Sequence, residues 1–444
     1  MPVNGPHRLR DTGSYLESTV GLWLNVARFT QGPGLRPARI TRFSNQPEVY
    51  SMSQESVVIV SGARTPMGGL QGSLSAVTAP ELGSTAIAAA LERSGVAATD
   101  IDEIFMGCVL PAGLKQGPAR QAARGAGIPD AAGAVTLNKL CGSGMQATIF
   151  GYDSIVAGTN QVVVTGGMES MTNAPHLLPG ARGGVRSGHA KLMDHMFIDG
   201  LEDADSGRAM GSFAQETADS RGLTREQMDA FAIESLNRAK TAIDDGSLAA
   251  EIAPVTVRGR GGDTVVSDDE QPHKAAVEKI PNLRPAFAKE GTITAANSSS
   301  ISDGASALVL MSASEAERRS LQPMARIVAH ARHSQHPSEF TIAPIGAINK
   351  LFARTGWSVA DVDLFEINEA FAMVTMLAMQ DLGLDHAKVN VHGGACAQGH
   401  PIGSTGSRII VSLMYALQKQ GKKRGVAALC IGGGEATAVA IELI

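Results

Sequence analysis

Cys141 stands in the run Asn138-Lys139-Leu140-Cys141-Gly142-Ser143-Gly144-Met145, a thiol at the end of one apolar segment with three small residues behind it. Val135 and Leu137 read as the end of a strand. After Met145 the apolar residues Ile149, Tyr152, Ile155 and Val156 recur at helical spacing, so the pattern predicts a strand-to-helix junction at Cys141. Backbone N–H groups and the positive end of a helix favour thiolate at such a junction. The glycines let a substrate approach the backbone. A buried structural cysteine is the competing assignment and the usual state of a free thiol.

Three later segments carry further candidate groups. Val391-His392-Gly393-Gly394-Ala395-Cys396-Ala397-Gln398-Gly399-His400-Pro401-Ile402-Gly403 puts His400 at the mouth of a helix, as base or as hydrogen-bond donor to an oxygen. Ala428-Leu429-Cys430-Ile431-Gly432-Gly433-Gly434 puts a second thiol at the carboxyl end of a strand, with glycine N–H groups behind it. Ile367-Asn368-Glu369-Ala370-Phe371 is a polar pair between a strand and an apolar helix.

His392, Cys396 and His400 recur every four residues, a spacing that aligns metal ligands on a helix. Gly393, Gly394 and Gly399 favour a turn instead and no fourth ligand is evident, so zinc is not expected. His392, Cys396 and Cys108 are assigned to structure, and His330, His333 and His336 to surface or loop positions. Gly166-Gly167 and Gly432 to Gly434 lack the spacing of a dinucleotide loop, and there is no P-loop.

These groups need a scaffold. A chain of 444 residues is too long for one ordinary core and should divide into two or three domains. Hydrophobic content of 43%, charge of 18%, aromatic content of 4% and 50 glycines describe a globular α/β protein packed through small side chains. A net charge of -5 gives no general attraction to nucleic acid or anionic lipid, and neither is expected as a partner. Cys108, Cys141, Cys396 and Cys430 form no CxxC pair, which predicts free thiols in a reducing compartment. No apolar stretch reaches the roughly 20 residues of a membrane-spanning helix.

Residues 1–51 differ from the rest. They hold six arginines, Arg8, Arg10, Arg28, Arg36, Arg39 and Arg42, with no lysine and no repeating apolar pattern. A transit peptide would fit the arginines, but Asp11, Glu17 and Glu48 weaken that reading. The preferred one is an upstream extension, expected to be disordered, with the folded part starting near Met52. Cytoplasmic placement follows, or mitochondrial if the extension is a transit peptide.

From Val57 onward short apolar strands alternate with helices, which predicts a parallel sheet covered on both faces. The order appears twice. Asp100-Ile101-Asp102 rhymes with Asp361-Val362-Asp363, and Thr165-Gly166-Gly167-Met168-Glu169 with Ile431-Gly432-Gly433-Gly434-Glu435, as in a duplication of two similar domains. The expected division is a first half over 52–172, completed by about 266–320, a covering loop domain over 173–265 with one clear helix from Arg225 to Asp244, and a second half over 321–444. Sites in such sheets lie beyond the strand carboxyl ends, so Cys141 and the loops of the second half can face one cleft.

Cys141 with its glycines, Asn368-Glu369-Ala370-Phe371, Gly399-His400-Pro401 and Cys430-Ile431-Gly432-Gly433-Gly434, in that order, resemble the thiolases. Gly166-Gly167-Met168-Glu169-Ser170-Met171 and the loop from Ala296 to Ala305 support the likeness, which runs from about Val57 to Ile444. It implies a duplicated thiolase-like fold, two mixed-sheet α/β halves packed in layers with an inserted covering loop domain. It also implies a homodimer or homotetramer and no metal or redox cofactor, with coenzyme A thioesters as substrates.

By the same resemblance, Cys141 attacks an acyl-CoA with His400 taking its proton, giving an acyl-thioester intermediate. Cys430 removes a proton from a second acetyl-CoA, and condensation yields a 3-ketoacyl-CoA, or thiolysis in reverse. The enolate oxygen is bound by His400 and by a water held on Asn368, and a second oxyanion site uses N–H groups of Cys141 and Gly432. The CoA arm would contact His176, Leu283, Phe287, Ser299, Ala370 and Phe371, while Pro272 and Lys279 stand where the family places polar contacts to the nucleotide. Plain core packing is the alternative for Leu283 and Phe287. The expected activity is acetyl-CoA C-acetyltransferase. The alternative is a broad-chain 3-ketoacyl-CoA thiolase of fatty acid metabolism, followed by a ketoacyl-synthase-like enzyme or a non-catalytic acyl-CoA binder.

Overall fold

Strands buried on both faces must lie inside a sheet that is covered on both sides, and Val57–Arg64, Val162–Ser170 and Ser302–Ser312 are buried along their whole length. The structure is a computed structural model that describes residues 55–444. The N-terminal extension, with its arginine-rich reading, lies outside those residues. The sheet strands are β1 (Val57–Arg64), β2 (Gly68–Gly69), β3 (Glu103–Gly107), β4 (Gly133–Leu137), β5 (Val162–Ser170), β6 (Ser302–Ser312), β7 (Ala325–Ser334), β8 (Leu364–Ile367), β9 (Arg424–Ile431) and β10 (Glu435–Leu443). They form one ten-stranded sheet in the order β8-β9-β10-β7-β1-β6-β5-β3-β4, with β2 on β6.

The duplication is visible in that order. In the first half β4, β3 and β5 run parallel, and β6 and then β1 continue antiparallel. In the second half Val389 bridges Phe365 of β8 in parallel, β8 pairs with β9 in parallel, and β10 and then β7 continue antiparallel. The halves meet through a short pairing of β1 with β7, Val58 opposite Arg326 and Ile59 opposite Ala325. The sheet is therefore mixed, not parallel as the alternation of strands and helices predicts. The reason lies in β6 and β10, whose apolar residues, such as the run Ala307 to Met311, mark burial but not the direction in which a strand pairs. For β10 the turn itself enforces the direction: Gly433 and Gly434 have φ of 82° and 85°, which folds the chain straight back on β9.

Helices fill three layers. Val58 and Val60 of β1 pack outward with α1 (Ala79–Ser94) and α2 (Pro118–Gly125). Val57 and Ile59 face the other way, onto Met145 and Ile149 of α3 (Ser143–Val156) and Ile409, Ile410 and Leu413 of a long late helix, Thr405–Lys419. On β9, Ala427 and Leu429 enter that same central core, whereas Val426 and Ala428 pack outward on helix Ala343–Thr355. The period-2 alternation of the strands thus places α3 and Thr405–Lys419 back to back between the two sheet halves.

Between β5 and β6 lies the excursion expected from the sequence. The helix foreseen there spans Arg225–Asp244; a second, Met210–Ser220, has no clear counterpart in the sequence pattern. Among the described residues no helix is long and apolar enough to cross a membrane.

The central layer is tight. A Cβ on Gly406 would lie 2.4 Å from the Met145 backbone nitrogen, and one on Gly144 would lie 2.8 Å from the Ser407 nitrogen. Alanine in place of a helix glycine ordinarily gains up to about 1 kcal/mol, but overpacking costs about 1–3 kcal/mol. Gly406→Ala is accordingly predicted to lower the melting temperature, measured by calorimetry; a rise would show that the two helices have room to move apart.

Candidate active site

The loops that follow the carboxyl ends of β4, β8 and β9, and the one that follows the Val389 bridge, carry Cys141, Asn368, Gly432 and His400, at the sheet end where ligands of such folds bind. Cys141 sits between β4 and α3, as its sequence neighbourhood predicts. Leu140 before it is held at φ 49°, a left-handed conformation that costs a leucine about 1–3 kcal/mol. Three hydrogen bonds maintain it. Leu140 N donates to Asn138 Oδ1 at 2.8 Å, Lys139 N donates to Ser143 Oγ at 2.8 Å, and Ser143 Oγ donates to the Leu140 carbonyl at 2.7 Å.

Burial pushes the Cys141 thiol up to about 11, opposed by the N–H groups of Gly432 and of Cys141 itself, which are aimed at its sulfur. Cys430, fully buried near the end of β9, is also raised well above the ordinary thiol value, first by burial and then by the neighbouring Cys141 sulfur. The two sulfurs therefore share one site. At rest both are thiols.

His400 lies in the loop before helix Thr405–Lys419 rather than on the helix, and is 5% exposed. Its Nδ1 is 2.6 Å from Thr405 Oγ1, which in turn lies 3.0 Å from the Pro401 carbonyl. When the hydroxyl donates to Pro401, it accepts Nδ1–H and leaves Nε2 as a free base; rotated, it donates to Nδ1 and Nε2 carries the proton. Nε2 has no partner among the described residues. Burial, aided by the Arg408 guanidinium, pushes the imidazole down to about 3, so it is neutral at physiological pH.

Asn368 is 1% exposed, and neither its Oδ1 nor its Nδ2 has a partner among the described residues. Leaving such atoms unsatisfied costs about 1–3 kcal/mol each, and side chains held at that cost are commonly reserved for a ligand or an ordered water. Its neighbour Glu369 does something different. Its carboxylate accepts from Ser235 Oγ and Asn390 Nδ2, both at 2.8 Å, and from Cys396 N at 3.1 Å, bracing the loop that leads to His400.

Of the residues expected along the CoA arm, four form a connected group. Ser299 donates through N and Oγ to the Ala370 carbonyl, both at 3.0 Å, and Phe371 meets Phe287 edge-on at 6.1 Å. Phe287 is 37% exposed, so core packing does not account for it. Leu283 is half-buried and lines a cavity of about 270 Å³ with Lys279, Ala296 and Ser300. His176 stands apart from these, exposed on a short ribbon with Met193–Asp194. Pro272 is buried in the short helix Glu270–Lys274 and Lys279 is exposed at the cavity wall.

Other assignments change. His330 and His333 are strand residues of β7, with His330 Nε2 3.1 Å from Asp153 Oδ1. Cys396 lies on a four-residue helix, Ala395–Gln398, where a turn was expected, bounded by Gly394 and Gly399.

Two supporting residues escaped the sequence reading. Thr405 carried no signal apart from its place five residues after His400. Glu169 of β5 was noted only within a matching motif, yet its fully buried carboxylate accepts from Val109 N and Gly403 N, both at 2.9 Å, and from Leu110 N at 3.1 Å. It thereby ties the loop after His400 to the loop after β3. Burial pushes it up to about 7.

Two α/β repeats, with a thiol from each and a buried imidazole from the second, define a class of acyl-transferring folds, and comparison narrows it to a family. Residues 57–314 match the thiolase N-terminal domain and residues 321–443 the thiolase C-terminal domain. The chain belongs to the thiolase family. It is 47% identical over 392 residues to the acetyl-CoA acetyltransferase of Shinella zoogloeoides, covering 88% of this chain and 100% of that one. It is 46% identical to a probable acetyl-CoA acetyltransferase of Dictyostelium discoideum, covering 90% of this chain and 97% of that one. Among solved structures, the Acat5 thiolase of Ascaris suum in complex with coenzyme A superposes with a TM-score of 0.83 at 40% identity, covering 88% of this chain and all of that one. The Bacillus anthracis acetyl-CoA acetyltransferase gives 0.86 at 39%, covering 88% and 99%.

With Cys141 raised to about 11 and His400 lowered to about 3, the resting enzyme holds no thiolate–imidazolium pair. Alkylation of Cys141 by iodoacetamide is predicted to climb steadily with pH through about 9 without levelling off. A plateau reached near neutral pH would show that the pair exists at rest.

Proposed function

We propose that this protein is an acetyl-CoA C-acetyltransferase, joining two acetyl-CoA into acetoacetyl-CoA and free CoA, or running the reverse thiolysis. The reading is supported above all by one arrangement: the Cys141 sulfur faces N–H groups of Cys141 and Gly432, beside Cys430. The names of its relatives support the same activity.

In the first half-reaction Cys141 Sγ attacks the thioester carbonyl as His400 Nε2 accepts its proton. The carbonyl oxygen becomes an anion between the N–H groups of Cys141 and Gly432. Collapse expels the CoA thiolate, which takes the proton from His400. Coupling proton transfer to attack suits a base that is neutral and a thiol that is not ionised beforehand.

In the second half-reaction Cys430, having given its own proton to solvent, removes as thiolate a methyl proton from another acetyl-CoA. With Cys141 acylated, no charge can form on that sulfur to oppose the ionisation of Cys430. The enolate oxygen is bound by a water on Asn368 and by His400 in its Nε2–H form, reached when the ring exchanges its Nδ1 proton for one at Nε2 through solvent and the Thr405 hydroxyl turns to donate to Nδ1. The enolate carbon attacks the acyl carbon, the Cys141 sulfur leaves, and the proton returns to it from Cys430.

Val109, Leu110, Met171, Met196 and Ile402 form an apolar cluster against Cys141, a setting suited to an uncharged acyl group. The CoA arm would lie along Leu283, Phe287, Ser299, Ala370 and Phe371, with His176 at its edge. Assembly as a homodimer or homotetramer is supported by the open edge of β4, where Val135 is 40% exposed.

Purified protein is expected to cleave acetoacetyl-CoA with CoA, and Cys141→Ala to abolish acyl transfer to the enzyme. Cys430→Ser should still be acylated but not condense; loss of both would overturn the division of labour. Thr405→Val should lower kcat by about tenfold or more, with Thr405→Ser within a few-fold of wild type. Equal activity of the two variants would remove the hydroxyl from the mechanism.

A further inference from the structure

Lys139 and Glu435 join the two catalytic loops. Lys139 lies two residues before Cys141, and Glu435 three residues after Gly432. Lys139 Nζ is ion-paired with Glu435 Oε2, the side chains 23% and 34% exposed. Each end is itself anchored. Lys139 N is bound to Ser143 Oγ at the start of α3. Glu435 Oε1 accepts from Ser334 Oγ at 3.2 Å, and its backbone opens β10 opposite Ile431 and Ser334. The glycine turn before it is pinned as well: Gln335 N donates to the Gly434 carbonyl at 2.9 Å, and a Cβ on Gly434 would lie 2.3 Å from the Gln335 oxygen.

Beside this pair the two loops also make close apolar contacts. A Cβ on Gly142 would lie 2.3 Å from Ile431 Cδ1, and one on Gly432 would lie 3.0 Å from Leu140 Cδ1. Such contacts stop the loops from approaching further but resist sliding weakly, since dispersion is non-directional. An ion pair anchored at both ends has a direction. The proposed oxyanion donors, N–H of Cys141 and N–H of Gly432, sit one on each loop, so their separation depends on the register of the two halves.

We propose that Lys139 and Glu435 are positioning residues, an electrostatic latch between the halves that holds the Cys141 and Gly432 donors at the spacing the tetrahedral oxyanion requires. The inference rests on the acyl-enzyme reading given above. A partly exposed pair of this kind adds little to global stability, whereas oxyanion donors act only at about 2.7–3.1 Å. The latch therefore separates rate from stability.

The test compares Lys139→Met, Glu435→Gln and the reversed pair K139E/E435K with wild type, reading the burst of CoA released on acylation by acetyl-CoA, the KM for acetyl-CoA and the melting temperature. Each single variant is expected to slow the burst by about five- to twentyfold, as small misplacements of reacting groups do, with KM within about twofold and melting within a few degrees. The reversed pair should recover to within about threefold of wild type, because it restores the attraction. Single variants at the wild-type rate, slowing that tracks a large loss of melting temperature, or a reversed pair slower than either single variant would overturn the latch while leaving the thiolase chemistry intact. A wild-type protein that releases no burst would overturn the functional reading, and the latch with it.

Discussion

The contact between the amino ends of two helices, α3 from the first repeat and Thr405–Lys419 from the second, governs the rest of the structure. Each helix begins where a sheet loop delivers a reactive group, Cys141 before one and His400 before the other. Gly144 against Ser407 and Gly406 against Met145 let the two backbones touch without side chains between them. A larger residue at either position would separate the thiol from the imidazole by about the thickness of a methyl group, and catalytic geometry tolerates roughly half an ångström. The surrounding layers serve that contact. Their alternating strand faces bury both helices from opposite sides, which is why the central core draws residues from both halves of the sheet.

Burial sets the electrostatics of the site. Low local polarity keeps charges off the resting residues: both thiols are raised, and the imidazole is lowered by desolvation first and by Arg408 second. In the proposed acylation step the charge on the thioester oxygen arises only during reaction and meets preorganised N–H donors, the condition under which such donors act most strongly. The unpartnered atoms of Asn368 and His400 Nε2 belong to the same logic. They carry a cost in the free protein that a ligand can repay.

Much of this was legible in the sequence. Cys141 announced its junction through the change from strand to helical periodicity, and the rhyme of Thr165 to Glu169 with Ile431 to Glu435 exposed the duplication. Sheet direction was not legible, because the apolar residues of Ser302–Ser312 and Glu435–Leu443 mark burial but not the direction of pairing, which tertiary packing and the turn before β10 decide. The helix from Thr405 begins a few residues after the apolar pattern does, since the preceding loop carries polar groups that must stay outside a helix. Thr405, Glu169 and the Lys139 to Glu435 pair were hidden for one common reason. Their importance is a matter of contact across long sequence separation, which residue type does not encode.

The central claim is that one sulfur, and not its neighbour, carries the acyl group. Brief incubation of the protein with acetyl-CoA, acid quenching and mass spectrometry of the proteolytic peptides addresses it directly. The account predicts a thioester-linked acetyl group on the peptide containing Cys141, labile to hydroxylamine, with the peptides of Cys108, Cys396 and Cys430 unmodified. Acetyl on Cys430, or no acetyl on Cys141, would contradict it.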